Sequence, residues 1–201
     1  MLKYFFLAGI SLVIQHSFAQ SARSSFSTIL KQKEDSLKKY AFDIVNAREV
    51  ADRFRADSMF TRILVRALKE PHSFSYPFDS LRTISRLYAP DSSFRIFTWQ
   101  FVKDENVFRR HGAIQIRTND GSLKLYPLID KTNVLEDIND IVTNNENWIG
   151  AIYYRIIQTS HNGKQFYTLL GYDENSFRST RKRIEVLTFD ANNKPVFGGP
   201  Y

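Results

Sequence analysis

The chain has 201 residues, of which 43% are hydrophobic and 24% charged, and it carries a formal charge of +7. That length and balance suit one globular domain, with or without an appendage, and exclude a disordered or low-complexity chain. The lack of cysteine excludes disulfides, thiolate metal sites, cysteine nucleophiles and a lipid-modified cysteine after a leader. Seventeen Phe and ten Tyr favour strands and a large aromatic core.

Met1 to Gln20 reads as a targeting segment. Lys3 supplies the positive start, Tyr4 to Ile14 is an apolar run, and Ser17-Phe18-Ala19 places small residues where a signal peptidase reads. The run is shorter than the ~20 apolar residues a membrane-spanning helix needs, which leaves an anchor as the less fitting reading. A signal peptide over 1–19, cleaved after Ala19, and a single α+β domain over 20–201 are therefore expected. The product would be exported and soluble, in the periplasm or secreted, with no membrane span. Without disulfides it must rely on its core, and a chain of this size buries roughly 70% of its unfolded surface.

Residues 27–70 have a helical pattern. Leu30, Leu37, Ile44 and Ala51 recur every seven residues, and Tyr40, Ala47 and Phe54 follow the same period, which makes one apolar stripe. A break near Ala56 to Ser58 is expected, with Asp57 or Ser58 as N-cap, and Met59, Phe60, Ile63, Leu64, Ala67 and Leu68 turn inward beyond it. The stripe could also serve a coiled-coil partner, but the run is short and intramolecular packing fits better.

Residues 81–198 are mostly β. Asp79 to Tyr88 fits either a helix or a strand. Phe94 to Val102 is a strand with Arg95, Phe97, Trp99 and Phe101 on one face and Phe94, Ile96 and Thr98 on the other. Lys103 to Asn106 turns into a strand over Arg109 to Thr118, and Asn119 to Ser122 turns into Leu123 to Ile129, where Pro127 implies an edge or a bulge. In the polar stretch Asp130 to Asn147, Val134, Ile138 and Ile141 allow one short helix. Glu174 to Thr180 reads as a seven-residue loop before a strand over Arg181 to Asp190, and Pro195-Val196-Phe197 closes the series.

The strongest local signal is Trp148 to Asp173, two runs of β-branched and aromatic residues around Asn162-Gly163. A type I′ turn needs positive φ at both central residues, and this pair tolerates it. The turn sets Ser160 against Gln165, Gln158 against Tyr167 and Ile156 against Leu169. Strict alternation puts Ile152, Tyr154, Ile156, Tyr167 and Leu169 on an apolar face, with Tyr153, Arg155, Ile157, Thr168, Leu170 and Tyr172 on a mixed one. The amphipathic helices are the natural cover for the apolar face. The expected fold is α+β, with N-terminal helices packed on a predominantly antiparallel meander sheet of six or seven strands.

Four stretches carry a resemblance. They are Phe74-Ser-Tyr-Pro-Phe-Asp-Ser-Leu81, Ala89-Pro-Asp-Ser-Ser-Phe-Arg-Ile-Phe-Thr-Trp99, Leu169-Leu-Gly-Tyr-Asp173, and Arg183-Ile-Glu-Val-Leu-Thr-Phe-Asp190 with Lys194-Pro-Val-Phe-Gly198. Together they resemble an uncharacterised family of exported bacterial proteins of the bacteroidete type. The resemblance implies export from a double-membraned cell. It brings no activity and no functional residue.

No catalytic signature stands out. His72, His111 and His161 lack a second histidine at helical ligand spacing, and no nucleophile elbow or phosphate-cradling glycine loop occurs. Asp137-Ile138-Asn139-Asp140 and Asp190-Ala191-Asn192 lack the glycine and closing glutamate of a calcium loop, and turn chemistry explains them. No metal or cofactor is implied. Arg178, Arg181, Lys182 and Arg183 form the densest basic cluster, which suits a solvated edge strand or an anion contact. Arg178, Arg181 and Arg183 with Tyr153, Arg155 and Tyr172 are the candidate ligand-binding residues, as a basic aromatic surface for an anionic glycan or other envelope component. Nucleic acid is the least fitting partner for an exported chain. The functional expectation is a non-catalytic binding or envelope-structural module. The alternative is an envelope glycan hydrolase in which Glu136, Asp137, Asp173 and Glu174 converge, because glycoside hydrolysis needs two carboxyls roughly 5–10 Å apart.

Overall fold

The computed structural model describes residues 27–104, 107–135, 138, 140–176 and 179–199. The expected leader and its cleavage point lie outside the described residues. Helix α1 spans 27–46, and its stripe of Leu30, Leu37 and Ile44 is fully buried within the chain. Helix α2 spans Val50–Leu68 and buries Phe60, Leu64, Ala67 and Leu68. The break falls at 47–49, not at Ala56 to Ser58. Arg53 explains it, because its guanidinium donates to Ala47 O at 2.7 Å and Arg48 O at 3.1 Å. Those donors serve carbonyls left open where α1 ends. Asp57, read as an N-cap, is buried inside α2 and accepts the indole N–H of Trp99 at 2.7 Å.

Among the described residues, nine strands form two antiparallel sheets where one meander of six or seven strands was expected. The first sheet has the order β1 (Ser85–Tyr88), β2 (Phe94–Asp104), β3 (Val107–Ile116), β4 (Lys124–Ile129). The second contains β5 (Thr143–Asn144), β6 (Ile152–His161), β7 (Lys164–Ser176), β8 (Ser179–Phe189) and β9 (Pro195–Phe197), in the order β5-β9-β8-β7-β6. Pro127 sits in the edge strand β4, where its missing N–H costs no ladder bond. The ambiguous segment 79–88 resolves as turns followed by β1. The turn expected at Lys103 to Asn106 falls partly on residues 105 and 106, outside the described residues. The stretch proposed as a short helix holds a turn at 132–134 instead, with residues 136, 137 and 139 outside the described set.

The α+β class stands, but the layers differ from the expectation. On β2, Phe97, Trp99 and Phe101 face the helices and join Leu37, Ile44, Phe60 and Leu64 in one core. Its other face, with Phe94 and Ile96, joins Ile114, Leu128, Tyr167, Leu169 and Leu187 in a second. The first sheet, not the helices, therefore covers the apolar face of the β6–β7 hairpin. Each of these large side chains contributes roughly 1.5–3 kcal/mol on burial, so an apolar strand with two apolar faces draws a layer to each side.

The hairpin register is the expected one, with Ser160 opposite Gln165, Gln158 opposite Tyr167 and Ile156 opposite Leu169. Asn162 and Gly163 take φ of 49° and 75°. A β-bulge between Tyr153 and Arg155 then corrects the facing of the first residues. Tyr153 turns inward and is fully buried, while Tyr154 turns out and is half exposed. The extra residue of a bulge shifts the side-chain alternation by one, which reverses the two tyrosines.

Arg95 is the one charge on the helix-facing side of β2 at the centre of the layers, and it is 1% exposed. It has no carboxylate partner among the described residues. Its Nε donates to Gln115 Oε1 at 2.8 Å, Nη1 to Tyr76 O at 2.6 Å and Tyr88 Oη at 2.9 Å, and Nη2 to Ser73 O at 2.9 Å. The guanidinium carbon lies 4.8 Å from the ring centre of Phe97 and 5.3 Å from that of Phe78. Burial lowers its pKa to about 10, which leaves it charged at neutral pH. The connector 71–78 is thus wrapped around a cation that it satisfies with neutral oxygens and ring faces. Arg95→Met strands those acceptors, so the variant should lose about 3–5 kcal/mol of stability. A urea titration checks this by the shift in midpoint at unchanged slope, and a loss below about 1 kcal/mol would contradict the role assigned to Arg95.

A candidate binding cleft at the edge of the second sheet

Strand β8 is longer than the neighbour on its outer edge. Strand β9 pairs only with Leu187, Thr188 and Phe189, and the ladder ends as Gly198 N donates to Val186 O at 2.8 Å. From Arg181 to Glu185 no strand lies along that edge among the described residues. The segment containing Ile138, Asp140 and Ile141 borders the gap instead and leaves a cleft of about 470 Å³, with Arg183 and Glu185 on the opposing strand. A second space of about 400 Å³, sharing Ile138 and Arg183, continues past Arg181 and Lys182. Gly198 closes the end. Its φ is 79°, and a Cβ there would stand 2.6 Å from Ile141 O, so only glycine lets the two segments approach.

Alternation along β8 places Arg181, Arg183, Glu185 and Leu187 on the side facing the first sheet. Leu187 is core, and Glu185 sits beside it at the boundary between core and cleft. Its Oε2 accepts a hydrogen bond from Tyr153 Oη, which in turn accepts one from Trp148 Nε1 at 2.8 Å. Burial pushes the Glu185 carboxyl up to about 7, against the opposing pull of the Tyr153 hydroxyl and the Arg183 charge. Burial also raises the Tyr153 phenol well above its usual range, reinforced by Glu185, so Tyr153 stays a proton-bearing donor. Gly171 makes room for this arrangement: a Cβ there would lie 2.9 Å from Tyr153 Cδ1.

The sequence-predicted binding residues do not share one surface. Tyr153 is core, the bulge having removed it from the mixed face. Arg155 is exposed and Tyr172 half-buried on the outer face of the second sheet. Lys182 lies on that outer face too, with its Nζ 5.5 Å from the Tyr154 ring centre and 5.7 Å from that of Tyr172. Arg181 and Arg183 line the edge cleft. Arg178 lies outside the described residues. The seven-residue loop expected over 174–180 is mostly strand, because Glu174 pairs with Thr180 and Ser176 with Ser179. Sequence reasoning missed Glu185 and Tyr154. An acid at Glu185, two residues after Arg183 in an apolar alternation, was a readable signal, whereas the bulge that exposes Tyr154 left none.

The carboxylates proposed for hydrolysis stand apart from this cleft where they are described. Asp173 is buried and bound by Arg110, whose Nη2 also donates to Glu174 O at 2.8 Å. Arg110 Nη1 lies 3.5 Å from Asp130 Oδ2, which makes a buried tie between the two sheets. Glu136 and Asp137 lie outside the described residues. Asp190 accepts from Asn192 N and Lys194 N, each at 2.8 Å, so it serves its turn. His111, facing Asp57 at 3.7 Å, has its pKa lowered by burial even though Asp57 acts to raise it. Among the described residues, no three His, Asp or Glu side chains gather as a metal site, and no helix is long and apolar enough to cross a membrane. Comparison with known protein families, curated proteins and solved structures returns no match to this chain.

The raised pKa of Glu185 has a definite sign in stability. Unfolded, the group ionises near 4.5, and folded near 7. Between those values the native state holds the extra proton, so stability falls as pH rises through the window and stays lowered above it. At about 1.4 kcal/mol per unit, Glu185→Gln should stabilise the protein by up to roughly 3 kcal/mol at pH 8 and by little near pH 4. Urea midpoints of both proteins at the two pH values check this. A difference that does not grow with pH would refute the assignment.

Proposed function

We propose that the chain is an exported, non-catalytic binding module of the cell envelope, and that its β8 edge takes an anionic glycan. The observation that carries this reading is the run Arg181-Lys182-Arg183 beside an open cleft, with no carboxylate in ion-pair range of any of the three among the described residues. Structural cations near carboxylates tend to pair, as Arg110 does with Asp173 and Asp130. Three successive cations at a strand edge, exposed at Arg181 and Lys182 and half-buried at Arg183, favour an outside anion. The leader-like N-terminus and the net charge of +7 support the setting. Tyr154 and Tyr172, flanking Lys182, offer flat faces of the kind on which sugar rings rest. The same charges also keep the open edge from pairing with another chain, which is a sufficient reason for basic residues but not for a cleft.

Hydrolysis is a second reading, because Asp140 and Glu185 line the same cleft. Release of shortened fragments from a polymeric substrate would move the assignment there. For the binding reading, wild type should bind polygalacturonate with an affinity that falls as salt rises from 20 to 300 mM, as screening requires (about 8 Å at physiological strength). The Arg181→Gln/Arg183→Gln variant should lose on the order of tenfold in affinity at low salt while keeping its unfolding midpoint. Equal binding by both proteins, measured by calorimetry, would overturn the site.

A further inference from the structure

The cleft holds an acid and a base that do not close on each other. Glu185 Oε2 is taken by Tyr153, and the carboxyl lines the cleft. Two residues away on the same face, Arg183 Nε is buried with no partner. No ion pair joins the two side chains, although both line one space of about 470 Å³. A buried guanidinium N–H without an acceptor is costly. One guest group can meet both residues if it accepts from Arg183 and also accepts from a protonated Glu185.

We propose that this cleft binds the carboxylate of an acidic saccharide of the uronic-acid type, held between the Arg183 guanidinium and the neutral carboxyl of Glu185. The proposal deepens the anionic-glycan reading and rests on it. A carboxylate matches the fork of a guanidinium, and its second oxygen can accept the short O–H···O⁻ bond a carboxyl donates. Once Glu185 ionises, two carboxylates share one small space and repel, so binding must carry a proton with it. The charged and titratable groups facing Glu185 act consistently with this. From β6, Tyr153 donates to Oε2 with the Trp148 indole behind it. On β8 itself Arg183 supplies the positive charge, and β7 contributes apolar Leu169 at the paired position. Across the cleft stands Asp140, whose negative charge further disfavours a second carboxylate. Burial that holds Glu185 protonated up to about 7 fits the same account.

Titration calorimetry with digalacturonic acid from pH 5.5 to 8.5 tests it. Wild-type affinity should be flat at the acid end and then fall by about tenfold per unit above pH 7, with proton uptake seen as a buffer-dependent heat. Glu185→Gln should bind at pH 8 as wild type does at pH 5.5. Tyr153→Phe removes a bond that lowers the Glu185 pKa, so it should move the break to higher pH, a second readout if Glu185→Gln folds poorly. A pH-independent wild-type affinity that Arg183→Gln still abolishes would overturn this inference and leave the anionic reading in place. Absence of binding to digalacturonate, polygalacturonate and dextran sulfate alike would remove both. Dextran sulfate binding as tightly as polygalacturonate, with the same pH profile, would overturn the carboxylate class.

Discussion

Strand β2 has no side open to water along most of its length. From Phe94 to Trp99 every residue is buried, on one face beneath α1 and α2 and on the other against the second sheet. A strand of this kind cannot sit in a two-layer domain without wetting one face, so the chain must supply two covers. The helices provide one and the β6–β7–β8 ribbon the other. The remaining architecture follows from that demand. Strand β3 pairs with β2, and β4 with β3, and they inherit the two-sidedness in part, with Ile114 of β3 and Leu128 of β4 turned to the second sheet and Leu125 of β4 to the helices. The polar groups at the centre are those that a two-faced strand forces inward: Arg95, Thr98 and the Trp99 indole each find a partner.

The bulge in β6 converts this packing into a site. Had the alternation continued, Tyr154 would face the core and Tyr153 the solvent, and Glu185 would meet no hydroxyl. One inserted residue places Tyr153 opposite Gly171, where the absent side chain leaves space for its ring. Its backbone is held from the first sheet, where Thr98 Oγ1 accepts from Tyr153 N at 3.2 Å and the Ser85 hydroxyl donates to its carbonyl. The position of the Glu185 carboxyl is therefore set by contacts that run from β1 and β2 through β6 to β8. A cleft built in this way is rigid on its β8 side, a property a binding site uses to avoid ordering costs.

Much of the fold was legible because it rests on local rules. Asn162-Gly163 fixed the hairpin register, Pro127 marked an edge, and the seven-residue recurrence of Leu30, Leu37 and Ile44 marked the buried helix face. What local rules omit is which face meets which. Both faces of β2 were written out in the sequence, yet pairing the hairpin with the helices looked sufficient, because period and polarity carry no information on layer order. The break at 47–49 was hidden for a different reason: no glycine or proline stands there, and Arg53, just inside α2, supplies the closing donors while also reaching Val102 O. The β7–β8 connection over Glu174 to Thr180 read as a loop because it is mostly polar and longer than a tight turn. Asp173 is buried against Arg110 nonetheless, and no one-dimensional pattern shows that match. Of the candidate site, the basic run on β8 was read and its acidic neighbour Glu185, though legible in the alternation, was passed over.

Three of the buried ionisable groups differ in how each is balanced. Arg110 is met by two carboxylates and ties the sheets together. Arg95 is met by neutral oxygens and aromatic faces and anchors the connector. In both the charge has its compensation inside the chain, although Arg110 Nε, like Arg183 Nε, is buried without a hydrogen bond. Glu185 differs. One of its oxygens is held by a phenol, no cation lies in ion-pair range among the described residues, and the carboxyl lines a cleft beside Arg183, which leaves an N–H unused. A fold that neutralises Arg110 with two carboxylates has the means to neutralise another buried charge, for example by a residue of opposite sign beside it. Leaving this one incomplete at a cost in stability, at the point where β9 stops short and solvent gains entry, is the pattern expected where an outside group completes the set.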